Sequence, residues 1–536
     1  MKLLFSTFCL LVVTSLFSQV PDIDWVKQYG GNLGEFFRSV IKTEDGGYLM
    51  GGWSNSPVSG VKTDPVIGFN YDYWVVKIDG SGNIQWQKTI GGGKTWALGD
   101  ETGEILDSIV EASDGSGYYL CGDSDSGVVG MKTEPSYGEY DYWIVKIDLN
   151  GNMLWQKALG GASTDRLFSA TATVDGGCIV GGSSASGISG IKTESNRGNW
   201  DYWVIKLSTS GVLEWQKTFG GSSIDELYSI VPSADGYLLA GYSASPISGD
   251  KTESTKGYGD FWILKLSLSG ELLWQKDIGG TGGDLLYTAV KTANGYLLGG
   301  ESESNSGFDK TENSRGGSDY WMVAIDSNGT ILWDKTFGGS DDDILLELAK
   351  ISDTGYVLCG VSYSNISGDK TSNVYGDSDG WLIRTDSSGA LLWQLGVGGI
   401  GEDGLNEVST LIDGSILLGG VSWETSANSG NITTPSYGAY DYLLVKLEPE
   451  SLATNDLDYD IFKIYPNPTS EKVYMSFENP VAEVTVEVYS QLSQKVMSMT
   501  FQNESAISIR LPEPTGIYFV KVKADDKEWF KKIIKN

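Results

Sequence analysis

Apolar and polar positions alternate along Tyr140-Asp141-Tyr142-Trp143-Ile144-Val145-Lys146-Ile147-Asp148, and aromatic and β-branched residues dominate the stretch. A period of two is the mark of a half-buried strand. Leu149-Asn150-Gly151-Asn152 completes an Asp-x-x-Gly turn, and Met153-Leu154-Trp155-Gln156-Lys157 reads as the returning strand of a hairpin. The unit recurs from near residue 22 to near residue 448. The Trp of the returning strand stands at Trp25, Trp86, Trp155, Trp215, Trp274, Trp333 and Trp393, with spacings of 61, 69, 60, 59, 59 and 60. The Trp of the preceding strand stands at Trp74, Trp143, Trp203, Trp262, Trp321 and Trp381, with Leu443 in the seventh copy. Each unit also holds a Gly-Gly loop and an apolar strand near an acidic residue, as in Asp225-Glu226-Leu227-Tyr228-Ser229-Ile230. A tight turn (Asp235-Gly236) and a strand ending on small residues (Tyr237-Leu238-Leu239-Ala240-Gly241) complete it. Four strands per unit and seven units predict an all-β, seven-bladed β-propeller over residues 19–448.

The two ends of the array are complementary. The first Trp strand, 23–29, lacks a hairpin partner before it, and the last Asp-aromatic strand, 440–447, lacks a Trp strand after it. Pairing them is expected to seal the ring and remove two open edges. Strand alternation then puts the tight turns (Asp45-Gly46, Asn150-Gly151) on one face. The Gly-Gly loops and the Ser189-Gly190-Ile191-Lys192-Thr193-Glu194 type of loop fall on the other, where binding residues usually sit.

Outside the array the pattern changes. Residues 1–18 carry a basic start and an apolar run from Leu3 to Phe17, too short to span a bilayer, and read as a secretory signal. Residues 449–460 read as a polar linker, and 461–536 as a separate unit of alternating strands suited to a small Ig-like β-sandwich.

Charge and composition narrow the chemistry. The chain carries −32; residues 461–536 hold ten basic and nine acidic residues, which leaves −33 on residues 1–460. Such a body repels phosphate backbones, so nucleic acid is excluded as a partner, and the charge suits solubility outside the cell. His is absent. That removes Ser-His-Asp and Cys-His catalysis and every His-ligated metal. Cys121, Cys178 and Cys359 lie in different repeats and read as buried small side chains rather than a disulfide framework. No cofactor is implied; Asp341-Asp342-Asp343 could ligate calcium, but no loop has the spacing of a dedicated calcium site.

Repeated residues are expected to pack; residues that break the repeat are expected to recognise. The Trp strands and the Lys-Thr-Glu loops (Lys132-Thr133-Glu134, Lys251-Thr252-Glu253) recur and read as packing and loop anchors or inter-blade ion pairs. The position before the Asp of the Asp-aromatic strand does not recur: it holds Tyr71, Tyr140, Trp200, Gly259, Ser318, Ser378 and Tyr440. The aromatics fall in units seven, one, two and three, contiguous in a closed ring. With Trp96 and Tyr137 they form a candidate ligand-binding arc on the long-loop face, suited to stacking on sugar rings or polymer; no catalytic residue stands out.

The last segment resembles the C-terminal sorting domain of the type IX secretion system of Bacteroidota. Ile464-Tyr465-Pro466-Asn467-Pro468-Thr469, the strand from Gly516 through Tyr518 to Val520, and the basic end with Lys531 and Lys532 carry the likeness. It departs at Ser493-Gln494-Lys495, where the family usually has Gly before Lys. The resemblance implies engagement of the type IX machinery, export across both membranes, removal of the tail, and release or attachment at the cell surface. The repeats resemble bacterial β-propeller repeats, and their Ile-Asp-x-x-Gly-x-x-x-Trp hairpin resembles quinoprotein-type propellers, without the adjacent Cys pair that often accompanies the quinone. A surface or extracellular binding module for glycan or another polymer is expected. A carbohydrate-active hydrolase or lyase and a structural surface-layer role are the alternatives. An enzyme requires a deep, perturbed carboxylate cluster at the ring centre, a binder an aromatic platform.

Overall fold

The structure is a computed structural model that describes residues 19–68, 70–93, 103–351, 354–423, 430–450, 462–465, 468–490, 495–512, 515–524 and 527–535. The signal sequence and nearly all of the linker lie outside these. The chain divides into two compact units, 20–450 and one that contains 451–536.

Among its described residues the larger unit is built from seven four-stranded antiparallel sheets and has no helix, the strand arrangement of a β-propeller. In the first sheet the order is Glu35–Lys42, Tyr48–Ser54, Asp72–Ile78 and Ile84–Ile90, from inner strand to outer. The next five repeat this order, with inner strands Glu104–Glu111, Asp165–Ala172, Asp225–Ser233, Asp284–Lys291 and Asp343–Ile351. The seventh takes Glu402–Thr410, Ile416–Trp423 and Asp441–Leu447 from the end of the unit and its outer strand, Ile23–Tyr29, from the beginning. The register runs Trp25↔Lys446, Val26↔Val445 and Gln28↔Leu443. Each inner strand packs on the inner strands of its two neighbouring sheets, including Glu35–Lys42 on Glu402–Thr410.

The repeated aromatics explain the stacking of sheets. Trp74, Trp143, Trp203, Trp262, Trp321 and Trp381 are fully buried. Each donates its indole N–H to a side chain 13 residues later, as from Trp143 to Gln156 at 3.1 Å. The Tyr before it reaches the next sheet: Tyr73 lies 5.0 Å from Trp143 ring to ring, and its hydroxyl donates to the Trp143 carbonyl at 3.0 Å. Tyr442 does the same to Trp74, stitching the seventh sheet to the first. Over each Trp sits the Lys of the Lys-Thr-Glu loop, fully enclosed, with Nζ 5.1–5.9 Å from the ring in Lys132, Lys251 and Lys310. These lysines anchor the loop within their own sheet, as where Lys251 pairs with Asp277 at 2.6 Å.

The acidic residues of the unit hold its long loops. In six sheets a carboxylate at the head of the inner strand accepts the second Gly N–H of the Gly-Gly loop, as from Gly161 to Asp165 and Gly221 to Asp225, both at 2.7 Å. The Asp of the third strand accepts an N–H four residues back, as from Lys256 to Asp260 at 2.6 Å. Much of the negative charge is therefore spent on backbone donors that would otherwise be buried without partners.

The C-terminal unit departs from the expected sandwich. It is one five-stranded sheet, curved as a half barrel, in the order Phe462–Tyr465, Lys472–Ser490, Gly516–Ala524, Lys527–Lys535, with Lys495–Arg510 paired to the second of these. The reason is the 19-residue strand Lys472–Ser490. Its first half pairs with Phe462–Tyr465 and its second with Gly516–Ala524, so one strand serves both ends and no second sheet forms among the described residues. Val473, Val486, Val488, Val520 and Ile533 fill the concave core.

Candidate functional site

The inner strands share one irregularity. In every one the ladder slips after its third core position, so one residue bulges: Arg38, Asp107, Phe168, Tyr228, Tyr287, Leu346 and Asn406. A bulge re-aims its side chain, and here all seven line a single cavity of about 440 Å³ on the axis. This column does not repeat from sheet to sheet, so the cavity has distinct walls. Phe168, Tyr228 and Tyr287 make an aromatic one, with ring centroids 5.0 and 5.4 Å apart. The Tyr hydroxyls donate to Glu226 at 3.0 Å and Glu301 at 2.9 Å. Burial raises both tyrosines far above the usual phenol range, and raises both carboxyls as well.

The position after the bulge staples neighbouring sheets. Ser39, Ser169 and Ser229 accept the N–H groups of Ile109, Ile230 and Ala289 in the following sheet, at 3.3, 3.0 and 3.2 Å. In the sixth and seventh sheets the same position holds Glu347 and Glu407. Glu347 accepts the Thr288 hydroxyl at 2.5 Å and the Leu348 N–H at 2.9 Å; Glu407 accepts from Ser39 and Val40. Burial pushes Glu347 up to about 7. Burial, then the neighbouring Glu347, pushes Glu407 well above the carboxylate range. The position holds a hydroxyl in five sheets and an acid in the two adjacent ones.

In the first two sheets, next round from the seventh, Arg38 faces Asp107 at 3.5 Å. Arg166 pairs with the buried Asp123, whose other oxygen accepts the Leu167 N–H at 2.6 Å. Burial raises Asp107 to about 6 against the pull of both arginines.

The predicted arc lies immediately before the third strands, and none of its described residues lines the axial cavity. Tyr71, Tyr140, Trp200 and Tyr440 sit where consecutive sheets meet, and their carbonyls accept the first N–H of the next inner strand at 2.7–2.8 Å. Only the backbone is used in this seam, so the side chain is free to vary. Phe36 brings Tyr71 and Tyr440 together, at 5.9 and 5.1 Å, within a cluster that also contains Trp53 and Trp423. Tyr140 instead lies 4.8 Å under the Arg166 guanidinium, and no ring contact among the described residues joins Trp200 to the others. Tyr137 stands apart: it is 45% exposed and its ring covers Gly190 in the next sheet's loop. Trp96 lies outside the described residues. Sequence reasoning missed Phe36, Trp53, Trp423 and the whole axial column. The signal was present in the same form as for the arc, a position that varies inside a strict repeat.

No group of three or more Cys, Asp or Glu that could hold a metal occurs among the described residues. Asp343 clamps Gly339 and Ser364, and Asp342 accepts the Ser318 N–H at 2.9 Å. The three thiols are buried and unpaired. In the tail, Tyr465 stacks on Tyr474 at 6.1 Å, and Pro468 leads into Thr469, whose N–H donates to the Ile534 carbonyl at 2.8 Å. Tyr518 and Lys535 both donate to the Pro512 carbonyl. Gly516, Lys531 and Lys532 pair along the last hairpin, and Pro466 and Asn467 lie outside the described residues.

The chain is similar to the regulatory protein FlaEY of Caulobacter vibrioides, 24% identical over 422 residues. That match takes in 70% of this chain and spans 41% of the length of the relative. Among solved structures, YCF48 bound to a D1 peptide aligns with 82% of this chain and 99% of its own at 10% identity, with a TM-score of 0.33. The cobalt-substituted apocarotenoid oxygenase of Synechocystis aligns with 82% and 96% at 11% identity, with a TM-score of 0.38. Residues 463–536 match the secretion system C-terminal sorting domain. The Tyr-Pro-Asn-Pro opening and the basic last strand lie inside that match, and the tail implies engagement of the type IX machinery and export to the cell surface or beyond it. Residues 463–536 thus belong to the type IX secretion C-terminal sorting domain family, carried behind a propeller-like array of four-stranded sheets.

Proposed function

We propose that this protein is an exported seven-bladed propeller that binds a glycan or a similar extracellular polymer at its axis and along the aromatic arc. The seven sheets, the first-to-last strand pairing and the ring of inner-strand contacts support closure with seven blades. The observation that carries the ligand class is the axial cavity. Three aromatic rings on one wall face acids and an arginine on the others, all at positions that break the repeat. Sugar rings stack on aromatic faces while their hydroxyls take up carboxyl and guanidinium groups. Residues 1–18 serve as the export signal and 449–460 as the linker to the sorting tail.

The test is a glycan-array screen of the full-length protein beside two variants, Tyr228→Ala/Tyr287→Ala at the axis and Tyr71→Ala/Tyr440→Ala in the arc. Binding that falls at least tenfold in the axial variant, with the fold intact by circular dichroism, supports the reading. Absence of any glycan hit for the unmodified protein overturns it. A hydrolase is the second reading, and Glu347 and Glu407 favour it: a carboxyl held near neutral pH beside another is the usual arrangement for general acid catalysis on glycosides. Release of new reducing ends, abolished by Glu347→Gln, would replace simple binding with turnover.

A further inference from the structure

Four charged side chains line the axial cavity: Arg38, Asp107, Glu347 and Glu407. Arg38 and Asp107 face one another. No ion pair among the described residues includes Glu347 or Glu407, so two adjacent carboxyls look into the cavity without a cation. A second observation is independent of them. Asp107, also on the cavity wall, is 7% exposed, and its Oδ2 has no hydrogen-bond partner. Unpartnered buried Asp oxygens recur in the unit, but this one belongs to a residue of the cavity wall, where a donor on a ligand can reach it. The third feature is the wall of Phe168, Tyr228 and Tyr287, whose ring faces attract cations.

We propose that the cavity receives a primary ammonium group, presented by an amino-sugar oligosaccharide, with the ammonium between Glu347 and Glu407 and sugar rings against Phe168, Tyr228 and Tyr287. The carrier rests on the glycan reading above; the charge does not. A uronic acid is disfavoured because the lining carries three carboxyls against one guanidinium. A neutral sugar supplies hydroxyl donors but nothing that favours ionisation of the acid pair. An ammonium supplies three donors and a positive charge that favours the ionised carboxylates. The surrounding unit, at −33 with its leader and linker, raises the local concentration of cations at the mouth. The acid pair is also where the ring departs most from its own repeat. Glutamates replace the hydroxyl staples there, and the Tyr–Trp contact between sheets six and seven is replaced by Gly380 and Leu443.

The experiment is titration calorimetry of the full-length protein with three probes: a glucosamine tetrasaccharide, its fully N-acetylated counterpart, and spermidine. The expected result is at least tenfold tighter binding of the glucosamine form than of the acetylated form. Glu347→Gln/Glu407→Gln, which keeps shape and hydrogen bonding, should abolish that preference. Equal binding of the two sugars, or binding of the acetylated one alone, overturns the ammonium site and leaves the glycan reading standing. Spermidine binding that depends on Glu347 and Glu407, with no binding of either sugar, keeps the ammonium site and removes the glycan carrier. Binding of none of the three overturns this inference. The comparison of probes is made on the unmodified protein, so it holds even if the double variant folds poorly.

Discussion

Single residues in this chain act in sets, and the seventh sheet shows which residues form a set. Where the other six have Lys over Trp, it has Ile432 beside Leu443, both buried. The place of the Gln that elsewhere accepts the indole N–H is taken there by Val26, and Gln28, at the place of Asp277, donates to Ser422 at 3.1 Å. Loss of the Trp removes the ring face, the N–H and the reason for a buried cation together. The sharpest case of the intact set is the fourth sheet, where Lys251 and Asp277 pair with side chains 0% exposed. Lys251→Ile alone leaves Asp277 with only the half-buried Lys256 at 3.1 Å, so a loss of about 3 kcal/mol is expected in urea denaturation. The triple change Lys251→Ile/Trp262→Leu/Asp277→Gln, which copies the seventh sheet, should cost clearly less than the sum of its parts; additive costs would show that the set is not coupled.

At the scale of elements, the hairpins are held by their turns. Asp45, Asp175 and Asp235 receive the ammonium groups of Lys77, Lys206 and Lys265 at 2.9, 2.6 and 2.8 Å. Each carboxyl is lowered to about 2, first by that Lys hydrogen bond and then by a neighbouring hydroxyl. A depressed carboxyl stabilises the fold above its unfolded value, about 3.9, and loses that contribution as pH falls toward 2. Unfolding midpoints measured from pH 5 to pH 2 should therefore fall, and Asp235→Asn should flatten part of that slope. All three carboxylates are more than half exposed, so each effect is small. The axial acids have the opposite sign. Glu347 is raised to about 7, so its cost to the fold grows from the ordinary Glu range up to about pH 7 and is constant above it.

For the whole molecule the decisive element is the strand Ile23–Tyr29, which joins the beginning of the chain to its end. Without it Asp441–Leu447 becomes an open edge of apolar residues, a template for aggregation. Val26→Pro, opposite Val445, introduces a residue that cannot donate to the ladder and fits poorly inside a paired strand. We expect proteolysis to begin at the seventh sheet and the unfolding midpoint to drop by several degrees. A variant with unchanged melting and unchanged cleavage sites would mean that ring closure contributes little to stability.

Much of this architecture is legible in the chain itself. A two-residue period, glycine turns and a Trp column every 60 or so residues state which segments are strands and how hairpins connect them, because these signals are local. The half barrel of the tail was not legible, since strand length alone does not say where Lys472–Ser490 bends or which neighbours each half takes. The arc residues Tyr71, Tyr140, Trp200 and Tyr440 could be found as a varying column, but not their company; Phe36 and Trp53 come from another strand pair. The axial site needed the tertiary structure outright. Alternation alone divides each inner strand into two faces, and only the bulge turns Arg38, Asp107, Tyr228 and their equivalents toward the axis. Glu347 and Glu407, 60 positions apart in the chain, become neighbours because the sheets carrying them stack side by side. The sequence by itself determined the strands, their hairpins and the sorting tail. Tertiary structure decided which varying residues meet in one cavity, because that depends on how sheets pack around an axis rather than on any contact within a repeat.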